Sequence, residues 1–327
     1  MGKGNRLRRL AGMLVASGIW LAVLGVIAVV LAPWVSTWEA LPARTRIWLG
    51  VIENFYPPFC AGAASLVLLA LLLRRRRAAL VAACAMLVAG MPVLASLHAA
   101  PKVAEDAPRL KVVAFNVWVR NGDTARLVDY LRSARPDIVF LEEVTETHKR
   151  ALAGLKDLYP TQVTCHTDLV DCETMLLARY PARWKKAGAL DGALPSMAAA
   201  ELDLGGRSVT AVAVHLAQPF PWHGRDAQRE QALHLAEVLD AVPGPLIVGG
   251  DFNGASWARN PSAVKRLARL RSEPGLHPSW PALAYAGLDV PALLRLPIDH
   301  VFTRDGPVVV EAGTGPALGS DHLPLVA

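Results

Sequence analysis

The sequence predicts an α/β domain of two packed sheets with helices outside, carried on an anchor of three membrane-spanning helices. Three observations predict this. The first hundred residues hold three long uncharged runs. From about residue 108, strand–helix units give way to a meander of short strands and then to strands again. Six apolar strands also end in a group able to bind a metal ion, a phosphate or a proton.

The 327 residues suffice for about two domains. Hydrophobic content is 53% and mean hydropathy is +0.31, and the excess is concentrated at the N-terminal end. Residues 11–32, 57–73 and 78–97 carry no charge, and a bilayer core takes roughly 20 apolar residues per helix. The spacing predicts spans at about 11–32, 55–73 and 78–97. The first run follows a basic start, Lys3 to Arg9, as a cleaved signal would, but it is too long for one and lacks a small-residue cleavage site. It is therefore read as a retained anchor. Trp34, Trp38 and Trp48 suit a membrane–water interface. Lys3, Arg6, Arg8 and Arg9 at the start, and Arg74 to Arg77 between the second and third runs, outnumber Arg44 and Arg46 in the intervening loop 33–56. The positive-inside rule puts both basic clusters in the cytoplasm. Everything after about residue 100 then lies outside, which in a bacterial inner membrane means the periplasm. The expected organisation is an anchor over 1–100, a polar linker over 101–107 and a soluble domain over 108–327. The spans hold no ionisable residue in their interiors, which argues against a transport path.

Charge divides the same way. Residues 1–107 carry 11 Lys/Arg against 4 Asp/Glu, and the remainder 23 against 24. The formal +6 belongs to the anchor. The soluble part has no net basic footprint of the kind long nucleic acids usually demand. Cys60 and Cys84 fall in the spans. Cys165 and Cys172 flank HTDLVD in the soluble part, and in an oxidising compartment a disulfide between them is expected. A metal site with His166 lacks enough nearby ligands.

The soluble elements follow in order. RLKVVAFNVWV (109–119) reads as a buried strand. A helix follows, capped by Asp123 or Thr124 and stopped before Pro136. DIVFLEEV (137–144) is the second strand, and a helix closed by Tyr159-Pro160 comes next. TQVTC, ETMLLARYP, PARWKKAGAL, MAAAELDL and RSVTAVAVHLA are short strands. GRDAQREQALHLAEVLDAVPG is a long amphipathic helix, PLIVGGDFN a buried strand, and PSAVKRLARL a helix. LPIDHVFTRDGPVVVEAG looks like two strands, and SDHLPLVA ends the chain in another.

The strand-end groups are Asn116, Glu143, His215, Asp251 with Asn253, Asp299, and Asp321 with His322. If its strand persists through Phe252, Asp251 and Asn253 share a face. An Asx-turn would also suit Asp, Asn and Gly there. A single buried carboxylate or imidazole is usually a satisfied core group. Six at strand ends of one domain point to a shared site, because each is costly to bury unpaired.

These motifs, GDFN and SDH with LEE, VHL and IDH, resemble the endonuclease/exonuclease/phosphatase superfamily over about residues 108–327. MLLARYP is similar to a family strand that commonly ends Ser-Arg-Tyr-Pro, with Ala178 where Ser is usual. The resemblance implies a four-layer α/β/β/α sandwich. It implies a divalent cation, Mg²⁺ with Mn²⁺ as the alternative, held by Glu143 with Asn116 in support and Asp321 as a further carboxylate. Such hard cations want oxygen ligands and keep several waters. Asp251 would orient or deprotonate the attacking water, and Asn253 would hold the phosphate. His322 would contact phosphate or transfer a proton, with Asp299 fixing it. His215 would serve the phosphate or leaving group. Trp118 stands where some members add an acid.

The expected function is a membrane-anchored, metal-dependent phosphohydrolase that cleaves a phosphodiester by in-line attack of an activated water. The substrate would be a lipid head group, a small phosphodiester or a nucleic acid, and the lipid bilayer is the other partner. No protein partner is inferred. A nuclease on extracytoplasmic DNA or RNA is one alternative, and a catalytically inactive, membrane-tethered binding module is another. The chain has no G-x-G-x-x-G after the first strand and no G-x-S-x-G elbow.

Overall fold

A computed structural model of the chain describes residues 3–164, 173–188, 196–220, 226–283 and 288–327. The expected Cys165–Cys172 disulfide lies outside the described residues. Two units are distinguished, one ending at Ser96 and one starting at Leu97.

The first unit is helical. It comprises α1 (Lys3–Val35), α2 (Ala43–Val51), α3 (Tyr56–Leu72) and α4 (Arg76–Ser96). Gly12–Val35, Ala43–Leu72 and Arg76–Ser96 are long and apolar enough to cross a membrane. Helix α2 corrects the expected loop over 33–56. A 3₁₀ turn (Ile52–Phe55) leads it directly into α3. Pro57 and Pro58 are tolerated in the first turn of α3, where backbone N–H groups lack helical partners in any case. Small residues line the inside: Ala70, Ala78, Ala79 and Ala82 pack with Ile19 and Val23. Leu68, Leu72, Leu80, Leu87 and Leu94 face outward. Large apolar groups outside and small ones between helices is the pattern that lipid-facing bundles use.

The second unit holds eleven strands among the described residues. In chain order they are β1 (Val112–Asn116), β2 (Ile138–Glu142), β3 (Thr161–Thr164), β4 (Met175–Ala178), β5 (Ala182–Gly188), β6 (Ser196–Asp203), β7 (Ser208–His215), β8 (Leu246–Asp251), β9 (Asp299–Arg304), β10 (Gly313–Thr314) and β11 (Leu325–Val326). One sheet runs β10-β11-β1-β2-β4-β3 and the other β5-β6-β7-β8-β9. Helices α5 (Thr124–Ala134) and α6 (Glu146–Ala153) cover the first sheet. Helices α7 (Ala227–Ala241) and α8 (Arg259–Leu267) cover the second. This is the expected four-layer sandwich.

The helix starts follow from their caps. Asp123 accepts from Arg126 N, Thr145 from His148 N and Asp226 from Arg229 N, each satisfying a donor the first turn leaves unpaired. Some strands are shorter than expected. β1 stops at Asn116 because Trp118 turns left-handed (φ +64°). Residues 307–311 are not a strand, and pairing resumes only at β10.

The layer between the sheets is built from Ala114, Ile138, Phe140 and Leu176 against Ala198, Ala200, Ala211, Ala213, Ile247 and Val301. The alanines of the second sheet leave room for Ile138, Phe140 and Leu176 of the first. The double glycine of β8 is required by the same packing. A Cβ on Gly249 would sit 2.1 Å from the Phe140 ring. One on Gly250 (φ +143°) would sit 2.0 Å from Val214 O and 2.7 Å from Glu142 Oε1.

Register then brings the polar strand ends together. β1 and β2 are parallel, with Asn116 beside Glu142. β7 and β8 are parallel, with His215 beside Asp251. β9 runs antiparallel to β8 and sets Asp299 beside Asp251. The carboxyl ends of four strands and the start of a fifth therefore share one rim.

Candidate active site

Asp251 is the hub of that rim. Its Oδ2 accepts from Asn116 Nδ2 at 3.0 Å and lies 3.8 Å from His215 Nε2 and 3.7 Å from His322 Nε2. Its Oδ1 accepts from the backbone N–H of Asn253 at 2.7 Å. The strand ends at Asp251 and does not continue through Phe252, so the Asx-turn forms. The shared polar site forms as well, because Asn253 (φ +48°) turns its amide back to donate to Leu216 O at 2.8 Å, 3.3 Å from His215 Nε2. Phe252, just past the strand, is fully buried against Phe302.

Glu143 lies one residue past the end of β2. Strand alternation alone would point it away from Asn116's side. Its left-handed backbone (φ +56°) swings the carboxylate back, so that Oε1 accepts from Asn116 Nδ2 at 3.0 Å and Oε2 from Val119 N at 2.8 Å. Asn116 thus bridges Glu143 and Asp251. Its own Oδ1 takes Trp118 N, and its backbone carbonyl takes the Ser320 hydroxyl.

Each imidazole has a carboxylate behind it. His322 Nδ1 lies 2.8 Å from Asp299 Oδ2, which also accepts the Ser279 hydroxyl. Burial disfavours the charge on His322, but Asp299 and Asp251 outweigh it and push its pKa up to about 10. His215 Nδ1 lies 2.8 Å from Glu173 Oε1. Burial again opposes the charge, and Glu173 with Asp251 overrides it, raising His215 to about 9. Asp251 shifts upward because burial outweighs the two imidazoles. Asp321 sits beside this group. Its Oδ2 accepts from Trp280 Nε1 at 3.2 Å, and burial raises its pKa.

The structure brings Asn116, Glu143, His215, Asp251, Asn253, Asp299 and His322 into one cluster and sets Asp321 at its edge through Trp280. Sequence reasoning missed four contributors. Glu173 precedes the MLLA strand and meets His215 from 42 positions away. Ser279 and Trp280 come from the loop before β9. Glu142 was passed over for its neighbour. It is fully buried, and neither carboxyl oxygen has a hydrogen-bond partner among the described residues. Burial first, then Asp299 and Asp251, push its pKa well above the usual carboxylate range.

The donor set fits a hard divalent cation. Glu143, Asp251, Asp299 and Asp321 supply carboxylate oxygens. Asp299 Oδ1 and Asp321 Oδ1 are buried acceptors without a partner among the described residues, which is the environment an oxygen-seeking ion resolves. One ligand atom each from Asp251, Asp299 and His322 lie within 4.8 Å of one another.

Comparison with known proteins bears on family and fold. The pattern of the Endonuclease/Exonuclease/phosphatase family matches residues 113–322. No curated protein matches the sequence. Among solved structures, a mutant beta toxin from Staphylococcus aureus with bound magnesium ions is similar at 14% identity and TM-score 0.55, covering 67% of this chain and 99% of its own. Sphingomyelinase C from Streptomyces griseocarneus is similar at 19% identity and TM-score 0.51, with the same coverages. A truncated Caenorhabditis elegans TDP2 is similar at 15% identity and TM-score 0.52, covering 66% of this chain and 96% of its own. At these identities the likeness is one of fold.

Proposed function

The chain belongs to the Endonuclease/Exonuclease/phosphatase family, and from that premise we propose that it is a membrane-anchored, metal-dependent phosphohydrolase acting on a phosphodiester. The observation that carries the reading is the Asp251 carboxylate, set between two imidazoles that each rest on a second carboxylate. Hydrolysis needs an activated water on one side of phosphorus and a stabilised leaving oxygen on the other. In this reading Asp251 orients the water and takes its proton. His322, held charged by Asp299, faces a non-bridging phosphate oxygen. His215, held by Glu173, donates its proton to the departing oxygen as the P–O bond breaks. The Asn253 amide fixes the phosphate between them. Glu143, oriented by Asn116 and Val119 N, would hold Mg²⁺ with Asp321 nearby; when bound, the ion supplies charge neutralisation at the phosphate.

The near-neutral charge of residues 108–327 favours a lipid head group or a small phosphodiester over long nucleic acid. Among the similar folds, a sphingomyelinase supports the lipid reading, and a toxin with bound magnesium ions supports the metal. The three apolar helices would hold the domain at the bilayer, with the N-terminus cytoplasmic and residues 108–327 periplasmic. The test is purified full-length protein in detergent with Mg²⁺, assayed in parallel on sphingomyelin, lysophospholipid, phosphoinositide and single-stranded DNA. Turnover of at least one by wild type and its loss in Glu143→Gln is expected. No turnover with any divalent cation would overturn the proposal.

A further inference from the structure

Three consecutive carbonyls of the turn that carries Asn253 are each gripped by a buried polar side chain. Gln228 Nε2, from α7, donates to Phe252 O at 3.2 Å and Asn253 O at 2.8 Å. His300 Nε2, from β9, lies 2.9 Å from Gly254 O. A carbonyl only accepts, so that nitrogen carries the hydrogen. Each gripping residue is itself held from behind. Glu273 Oε1 lies 2.7 Å from His300 Nδ1, and its Oε2 accepts from Val301 N. Gln228 Oε1 accepts from Asn260 Nδ2 at 2.8 Å. All four side chains are buried, and the His300 ring stacks on Phe302 at 5.0 Å.

We propose that Glu273–His300 and Asn260–Gln228 are two braces that lock Asn253 in its left-handed conformation, making His300 and Gln228 positioning residues for the phosphate-facing amide. The inference rests on the hydrolase reading for its consequence in turnover, and on geometry alone for the bracing. Asn tolerates φ near +48° better than most L residues, so the bracing rests on the grip that two separate elements take on the turn's carbonyls. A buried histidine needs merely some acceptor, and packing by itself does not ask that two elements converge on successive carbonyls of one turn. His300 sits on the face of β9 opposite Asp299, so it acts from behind the site and touches no reacting atom.

The experiment uses full-length protein in detergent and His300→Phe, which keeps the ring stack and removes both ring nitrogens. Hydrogen exchange at the Asn253 and Gly254 amides should rise at least about 10-fold while the β8 amides stay protected. Unchanged exchange at the turn would overturn the bracing whether or not the protein is a hydrolase. On bis(p-nitrophenyl) phosphate with Mg²⁺, kcat should fall about 10- to 100-fold, the range typical of lost outer supports. His300→Gln, which still offers a donor to Gly254 O, should recover part of it. Asn253→Ala should cost much less in the His300→Phe background than in wild type. Independent, multiplying losses would overturn the proposal. Should His300→Phe lack a cooperative melt, Gln228→Leu and Glu273→Gln are read against the same two outcomes. Wild-type inactivity alone would count against the hydrolase reading and leave the exchange result to decide the braces.

Discussion

Replacing Glu142 with Gln should stabilise the second unit, and by an amount that grows with pH. The carboxyl is fully buried between the sheets without a hydrogen-bond partner among the described residues. Gly250 is packed so closely that a Cβ there would approach Oε1 to 2.7 Å. Burial, Asp299 and Asp251 raise its pKa well above 4.5. The sign follows from proton linkage. Below pH 4.5 the folded and unfolded chains both carry the proton, and no stability depends on it. Between 4.5 and the folded-state pKa only the folded chain keeps it, so stability falls by about 1.4 kcal/mol per pH unit as pH rises. Above the folded-state pKa the loss is constant. Gln has nearly the same shape and does not titrate. The stability gap between Glu142→Gln and wild type should therefore widen at about 1.4 kcal/mol per pH unit from pH 4.5 upward and then level off. In melting temperature each kcal/mol is about 2–4 °C for a domain of this size. Urea unfolding of the full-length protein with divalent cations chelated, read by exchange of the β2 amides, measures it. Parallel pH curves for the two proteins would refute the argument, because they would mean that Glu142 titrates alike in both states.

Other predictions are as direct. Glu173→Gln removes the carboxylate behind His215, so the imidazole, charged up to about pH 9 in wild type, should titrate lower. Its ring-proton NMR shift against pH reads this, and the alkaline limb of any turnover should move down with it. Asp299→Asn should cost about 10²-fold or more in kcat/KM. It should also draw His322's titration down from about 10; an unmoved titration curve would show that Asp299 does not hold the charge. Gly249→Ala drives a Cβ to 2.1 Å from the Phe140 ring, and thermal melting should show a loss of about 1–3 kcal/mol or more.

Much of the site was legible because it lies at strand ends, where local sequence sets both burial and direction. Asp251, His215 and Asn116 each close an apolar strand and Asp299 opens one, against the expectation that it would end one, and alternation fixes which face they take. Glu173 was not legible. It stands just before the MLLARYP strand, outside that motif, and its partner is 42 positions away. Nor could the pair of acids in LEE be sorted by pattern. A left-handed backbone at Glu143 returns its carboxylate to Asn116 while Glu142 stays sealed between the sheets. The loop expected over 33–56 holds α2 because uncharged length marks a span better than it marks where a helix begins.

By itself the sequence determined which residues are apolar, roughly where strands run and which chemical groups stand near their ends. These follow from nearest-neighbour geometry along the chain. Only the tertiary structure decided which of those groups touch. The parallel pairing of β7 with β8 set His215 against Asp251. The packing of the first sheet on the alanine-lined face of the second brought Asn116 to Asp251 across 135 positions. Contacts of that range depend on register and layer spacing, and those are properties of the packed sheets as a whole.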